Sequence, residues 1–221
     1  MHRIALGLLV LALAGTGSAP ADQTRSQRRG PARRPAPALR TEPAAPKCPA
    51  VLGRGVRTKL DFCDVLTGRS PAEGVVITLP RHSGPATLSF NLHNRHTYSE
   101  EQTRAGRAYA AYTAIVAVVS PAGAVLARVA VRNEFRSAAD LYDRIEGGAG
   151  PKGVKAVAPL GAERVSVEVP ADVGEVALVG ERLEVQRLDG RETHVLPGTP
   201  IAAISDVRIE YRPLRTSRTS R

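Results

Sequence analysis

Residues 109–135 read YAAYTAIVAVVSPAGAVLARVAVRNEF, and this stretch decides the fold class. It is nearly all apolar and resembles a membrane helix in length, but Ser120-Pro121-Ala122-Gly123 lies at its centre. A proline followed closely by a glycine marks a turn. Beyond the turn, apolar side chains alternate with polar ones such as Arg128, which is the period of a half-buried strand. The stretch therefore predicts a long β-hairpin with strands over 109–119 and 125–135.

The same period of two recurs through the rest of the chain. It is clearest in four further segments, 75–79, 88–92, 164–169 and 206–212, in which Val, Ile, Leu or Phe alternates with charged or polar residues. Antiparallel strands with one wet face have this pattern. Residues 48–211 are therefore predicted to form an all-β fold, a single antiparallel β-sandwich. A jelly-roll or galactose-binding-like topology is the first choice and an immunoglobulin-like one the second.

One or two short helices interrupt the strands. Ser137-Ala138-Ala139-Asp140 matches a capping box, with Leu141, Tyr142 and Ile145 as an apolar stripe behind it. Ser99-Glu100-Glu101-Gln102 has the same pattern and predicts a second turn of helix.

The N-terminus has the layout of a secretory signal peptide. Arg3 precedes the apolar run Ile4–Ala14, and Ala19-Pro20-Ala21 fits a cleavage site. Residues 1–21 are therefore predicted to be removed, which leaves no transmembrane segment. We expect a secreted or periplasmic protein, and an uncleaved membrane anchor is the alternative.

The positive charge is concentrated at the ends of the chain. Residues 22–47 carry seven Lys or Arg against two acids, are rich in Pro and Ala, and are predicted to form a disordered linker. Residues 212–221 add four arginines and are predicted to form a flexible tail. Residues 48–211 hold 19 basic and 19 acidic side chains. A nucleic-acid-binding domain would show a basic excess there, so no nucleic acid is expected as a partner.

Cys48 and Cys63 are the only cysteines. An isolated pair in an exported chain predicts a disulfide, with two free thiols as the alternative. The chain has no C-x-x-C motif, so it offers no sign of a redox, haem or zinc-ribbon site.

One stretch concentrates titratable side chains. Residues 89–102, SFNLHNRHTYSEEQ, start as a strand and end in a polar run, and six of their residues are candidates for a ligand site: Asn91, His93, Arg95, His96, Tyr98 and Glu101. On a regular strand His93 and His96 point to opposite faces. They converge only if the strand breaks near Asn94. The other interpretation is a solvated strand face followed by an ordinary helix start.

Four interpretations of this stretch remain open. It can bind a polar ligand, hold a metal through His93, His96 and Glu101, act in acid–base catalysis, or have no role beyond folding. G-x-S-x-G, H-E-x-x-H and phosphate-loop motifs are missing from the sequence, so we expect no catalytic residue and no cofactor. With no tryptophan and few aromatic residues, a flat polysaccharide platform is not expected, whereas a site for a short glycan stays open.

The sequence thus predicts an exported, non-catalytic binding or scaffold module of the cell envelope. Its partner is an unidentified envelope or extracellular ligand, for example a short glycan or a protein. Two alternatives stay open. One is a metal-dependent or hydrolytic enzyme centred on His93, His96 and Glu101. The other is a self-assembling surface or structural component that pairs through its edge strands.

Overall fold

The computed structural model describes residues 36–146 and 156–214. They form eleven strands and one short α-helix. The strands are β1 (Arg40–Pro43), β2 (Ala50–Arg54), β3 (Asp61–Leu66), β4 (Val75–Thr78), β5 (Ala86–Tyr98), β6 (Ala110–Val119), β7 (Val125–Phe135), β8 (Ala156–Val169), β9 (Glu175–Arg187), β10 (Gly190–His194) and β11 (Pro200–Tyr211). The helix α1 covers Glu100–Arg104.

Two antiparallel sheets pack face to face, as the alternating pattern predicts. One sheet has the order β2-β3-β11-β5-β8, with β1 beside the far end of β11. The other has the order β10-β9-β6-β7, with β4 beside the start of β9. We call them the first and the second sheet. The predicted hairpin is confirmed, since β6 and β7 pair from Ala110–Phe135 to Val119–Val125.

The core lies between the sheets and is built from the apolar sides of their strands. Its fully buried side chains include Leu88, Phe90, Leu92, Val116, Val118, Phe135, Leu178 and Ile204. Burial of one such side chain contributes roughly 1.5–3 kcal/mol, so these side chains fix which face of each strand points inward. For β5 the inward residues are the even-numbered ones.

The two predicted helices have different outcomes. Helix α1 is confirmed, and the Ser99 hydroxyl accepts a hydrogen bond from the Gln102 amide at 3.3 Å. After Ser137 the chain makes only a 3-10 turn over Ala138–Asp140, although the capping box is present. Leu141 and Tyr142 bind the edge of β8 instead, because Leu141 bridges to Leu160 and the Tyr142 amide donates to the Pro159 carbonyl. Pairing with a strand edge therefore replaces the predicted helix.

The segment after this turn covers part of the outer face of the first sheet. Asp143 holds the segment in place, accepting hydrogen bonds from the Thr58 amide at 2.7 Å and the Arg57 amide at 3.0 Å. Burial opposes ionisation of Asp143, but a hydrogen bond from the Thr58 hydroxyl, together with those from the amides, outweighs it and lowers the carboxyl pKa to about 2. Tyr142 and Ile145 are thereby held close to β2 and β3.

The ends of the folded part differ from the linker prediction. Residues 40–43, assigned to disordered chain, form β1 and pair with β11 from Arg40–Tyr211 to Pro43–Arg208. A lone β1 has too little apolar surface to show a strand period, and it is stabilised by backbone pairing. The predicted signal peptide, the first part of the predicted linker (22–35) and residues 215–221 of the predicted tail lie outside the described residues.

The disulfide between Cys48 and Cys63 is confirmed, with Cα atoms 5.7 Å apart. It joins the segment before β2 to the buried strand β3. Disulfides of this kind persist in oxidising compartments and are rare in the cytosol. Within the described ranges, no helix combines the length and the apolar character needed to cross a membrane.

Candidate functional site

Strand β5 carries most of the candidate residues and is continuous from Ala86 to Tyr98. The break near Asn94 that would bring His93 and His96 together is not present in β5, and the irregularity lies in the neighbouring strand β8. Leu92 pairs with Glu163 and Asn94 with Leu160, so β8 has an extra residue opposite His93. Gly161 takes a φ of +54° there, a conformation that favours glycine. Because β5 itself does not break, His93 and His96 stay on opposite faces of the sheet.

His93 is a fully paired histidine beneath the outer face of the first sheet. Its ring is 0 % exposed and contacts Phe62 and Tyr142, with ring centroids 5.4 and 4.6 Å away. Nδ1 donates to the Gly161 carbonyl, and Nε2 accepts from the Ser205 hydroxyl at 2.9 Å. Burial lowers its pKa to about 4, and the Gly161 hydrogen bond opposes this only in part. His93 is therefore neutral at pH 7, and its role is to pack this face of the sheet.

The Ser205–His93 pair has the connectivity of a nucleophile and its base. However, Ser205 is only 2 % exposed and His93 is fully enclosed. A base with a pKa of about 4 is also poorly matched to proton abstraction near neutral pH. This geometry supports packing and not hydrolysis.

Arg95 and Asp64 form a buried ion pair beside His93. Arg95 Nε lies 3.0 Å from Asp64 Oδ1, across the strand β11 that separates β5 from β3. Burial raises the pKa of Asp64 to about 6, and the charge of Arg95 opposes the rise. Burial also lowers the pKa of Arg95. Arg95 also helps to line a cleft at the end of the sandwich.

The other candidates on the outer side are more ordinary. Asn91 accepts a hydrogen bond from Arg164, which also binds Asp206 and Ser89, so that a single guanidinium ties together β8, β5 and β11. Glu101 is exposed in the first turn of α1, where a carboxylate favours the helix dipole. These two residues fit the interpretation of a solvated face and a helix start.

Tyr98 lies on the inner face and binds α1. Its hydroxyl donates to Glu100 Oε2 at 2.6 Å. This hydrogen bond is the main reason that the pKa of Tyr98 is raised and that of Glu100 is lowered. Arg144 lies over the tyrosine ring, with its guanidinium carbon 5.0 Å from the ring centroid. Tyr98 therefore anchors the helix that closes this end of the sandwich.

His96 differs from His93 in having an unsatisfied ring nitrogen. It is 5 % exposed, stacks on Phe135 at 3.8 Å, and its Nδ1 lies 2.7 Å from the Tyr112 hydroxyl. Its Nε2 is buried and has no hydrogen-bond partner among the described residues. Burial and the positive charge of Arg187 lower its pKa to about 4, so the ring is neutral at pH 7. A buried polar atom without a partner costs roughly 1–3 kcal/mol, which makes it a place for a ligand atom.

A cleft of about 330 Å³ opens beside His96 at this end of the sandwich. Its floor is apolar and is formed by Leu183, Val185 and the ring of Tyr112. Its rim is polar, and the lining residues with charged or hydrogen-bonding side chains there include Arg95, Thr97, Ser99, Gln102, Arg107, Arg187, His194 and Thr199. The volume is at the lower end of the range for pockets that bind small ligands.

The charges around the cleft are mainly positive. Arg95 is paired with Asp64, and Arg187 is paired with the exposed Glu192 at 2.8 Å. Arg107 donates to Gln102 and forms no ion pair within the described part of the chain. Of the residues that the structure describes, no Asp or Glu lines the cleft itself.

The structure does not bring together the three residues that the metal alternative requires. His93 and His96 are on opposite faces of β5, and Glu101 lies on the outside of α1. Across residues 36–146 and 156–214, no group of three His, Cys, Asp or Glu side chains is arranged to hold a metal ion. Of the six candidate residues, only Arg95 and His96 reach the cleft.

Four cleft residues escaped the sequence analysis: Arg107, Tyr112, Arg187 and His194. They come from the segment after α1 and from β6, β9 and β10, three neighbouring strands of the second sheet, and they meet His96 because that sheet stacks on the first. Each belongs to a strand end or a loop, where a single polar residue carries no periodic signal. Sequence spacing alone offered no means of grouping them.

We expect stability to decrease from pH 7 to pH 5. His93 and His96 have folded pKa values of about 4, against 6.5 for the ordinary side chain, so the unfolded chain takes up protons first. Asp64 acts in the opposite direction, because its pKa rises from 3.8 to about 6 on folding. Two histidines outweigh one carboxyl group, and the free energy of unfolding should fall by about 2 kcal/mol.

Urea unfolding at the two pH values measures this change. In a His96→Phe variant the loss between pH 7 and pH 5 should shrink to less than half. If the free energy of unfolding falls as much in that variant as in the unchanged protein, His96 takes up its proton at the same pH in the folded and the unfolded chain.

No protein-family model matches the chain, and no curated protein matches it.

Proposed function

We propose that the protein is an exported, non-catalytic binding module and that its ligand occupies the cleft beside His96. The observation that carries the proposal is the buried Nε2 of His96, which has no protein partner within the described residues and belongs to a side chain that lines the cleft. An apolar floor with a few polar groups around it is the usual composition of a ligand site.

The arrangement favours binding over catalysis. A neutral histidine with a pKa of about 4 is a weak base, and the neighbouring Tyr112, whose pKa burial raises to about 12, is a weak acid. Both groups can orient a ligand by hydrogen bonds without exchanging protons at pH 7. The envelope role rests on the signal-peptide pattern and the disulfide, which favour a secreted or periplasmic location.

The finer fold class is part of the same proposal. We infer a jelly-roll or galactose-binding-like sandwich in preference to an immunoglobulin-like one. In support, β1 pairs with β11, so the first and last strands lie side by side. Long crossovers also join the two sheets, for example between β5 and β6 and between β7 and β8. The ends of such sandwiches, where loops gather, commonly carry ligand sites.

Blocking the cleft tests the proposal. Isothermal titration of the purified chain with short acidic and neutral peptides and with uronic-acid and neutral oligosaccharides should find binding in at least one class. Ala108→Trp, which fills the cleft, should abolish that binding. Ala105→Trp is the matched control, because Ala105 is exposed at the end of α1 and does not line the cleft.

Two results would contradict the proposal. One is equal binding by both tryptophan variants, which would place the ligand elsewhere. The other is turnover of a panel compound by the pure chain that disappears in His96→Phe, which would make the cleft an active site.

A further inference from the structure

The cleft exists because β11 separates from β5. The two strands pair as far as Ala203–His93, and β11 then bulges between Pro200 and Ala202 and continues beside β3. Asn94 to Tyr98 pair with β8 on one side only. Thr199 and Pro200 line the cleft opposite Arg95 and Thr97, so the gap between the two strands is part of the cleft.

The backbone of β5 has hydrogen-bonding groups that face this gap. Pro159 is opposite Arg95, and its carbonyl accepts from the Tyr142 amide on the far side of β8. Pro159 and Arg95 are thus a pair without mutual hydrogen bonds, and the N–H and C=O of Arg95 point away from β8. By alternation, those of Thr97 do too. The described structure pairs neither residue with a second strand, and open strand edges of this kind readily accept another strand.

The side chains around the gap favour a negatively charged occupant. Arg107 has no ion-pair partner among the described residues, and Arg187 is paired only with Glu192, whose side chain is 57 % exposed. A carboxylate opposite His96 would face inward, toward the unpartnered Nε2 and Arg187. Charge-assisted hydrogen bonds to arginine are among the stronger polar contacts in proteins.

From this edge and these charges we propose that the ligand is an acidic peptide segment that adds to β5 as an extra antiparallel strand. The inference rests on the proposed function and names the ligand class for the same cleft. Residues of the peptide opposite Arg95 and Thr97 exchange backbone hydrogen bonds with them, and an acidic residue between those two points into the cleft. Strand addition of this kind draws affinity from the backbone and selectivity from alternate side chains.

The terminal segments of this chain do not match the site. Residues 22–35 and 215–221 carry five and three arginines, respectively, against one acid in total. Such segments are repelled by the arginine rim of the cleft. An acidic glycan matches the charge, but it has no regularly spaced amides to pair with the edge of β5. A partner protein with an acidic extended segment satisfies both requirements.

The test uses the peptide Ac-Thr-Val-Glu-Val-Thr-NH2 and the purified chain. Three comparison compounds separate charge from strand pairing: the same peptide with Gln for Glu, the same peptide N-methylated at both valines, and N-acetylglutamate amide. We expect the first two to bind about tenfold more weakly than the parent peptide, and the amino-acid derivative to bind more weakly still. The amide protons of Arg95 and Thr97 should become protected from exchange in the complex.

Arg187→Gln should weaken binding of the parent peptide by about tenfold. Arg182→Gln, on the same strand but away from the cleft, should leave this binding unchanged. If the N-methylated peptide or a glucuronic-acid trisaccharide binds as well as the parent peptide, the strand inference fails and the cleft remains a binding site. If no panel ligand binds the unchanged chain, the proposed function fails as well.

Discussion

Phe135→Ala should lower the free energy of unfolding by about 3–5 kcal/mol. Phe135 is 0 % exposed at the end of β7, its ring stacks on His96 at 3.8 Å, and Tyr98 meets it edge-on at 6.0 Å. The substitution removes the favourable transfer free energy of a large buried ring and leaves a cavity beside His96. A loss of this size is a large share of the stability of an ordinary domain.

Val125→Ala is the control for this prediction. Val125 lies at the other end of β7 and is 44 % exposed, so truncation there should cost less than about 1 kcal/mol. Chemical denaturation of both variants gives the comparison. Equal losses in the two variants would mean that Phe135 does not point into the core, toward β5.

Reduction of the Cys48–Cys63 disulfide should lower the free energy of unfolding by about 3 kcal/mol. The bond closes a loop of 15 residues, and in the chain-entropy model a loop of that size restricts the unfolded chain by this amount. Denaturation with and without dithiothreitol measures the change. The same reductant should not alter a Cys48→Ser/Cys63→Ser variant.

Two observations would contradict this prediction. The first is an unchanged denaturation midpoint on reduction. The second is rapid labelling of two thiols in the native, unreduced chain.

The sheets were largely predictable from the sequence because apolar alternation is a local signal. The hairpin over 109–135 follows from its turn and its period, and α1 follows from its cap. The 3-10 turn after Ser137 and strand β1 were not predictable, since both depend on backbone pairing with distant strands. A capping box predicts how a helix starts, but it says little about whether a strand edge nearby competes for the same residues.

The site was only partly predictable for a related reason. Strand parity correctly separated His93 from His96, and the bulge that could have united them is in β8, at Gly161, opposite His93. Strand parity also predicts that the His93 side chain lies on a solvent-exposed face of the sheet, which is wrong. The segment after Ser137 covers that face, and the sequence carries no periodic signal for such a cover. Arg187 and Arg107 join His96 only through the stacking of the sheets.

Histidine ring signals test the central claim most directly. In NMR spectra of the histidine-labelled chain, Ac-Thr-Val-Glu-Val-Thr-NH2 should shift the His96 ring signal and raise the His96 pKa from about 4, because the bound carboxylate offsets the charge of Arg187. The His93 signal should stay in place, since both of its nitrogens are already paired under the opposite face. A shift of His93 with His96 unchanged would contradict the assignment of the cleft as the binding site.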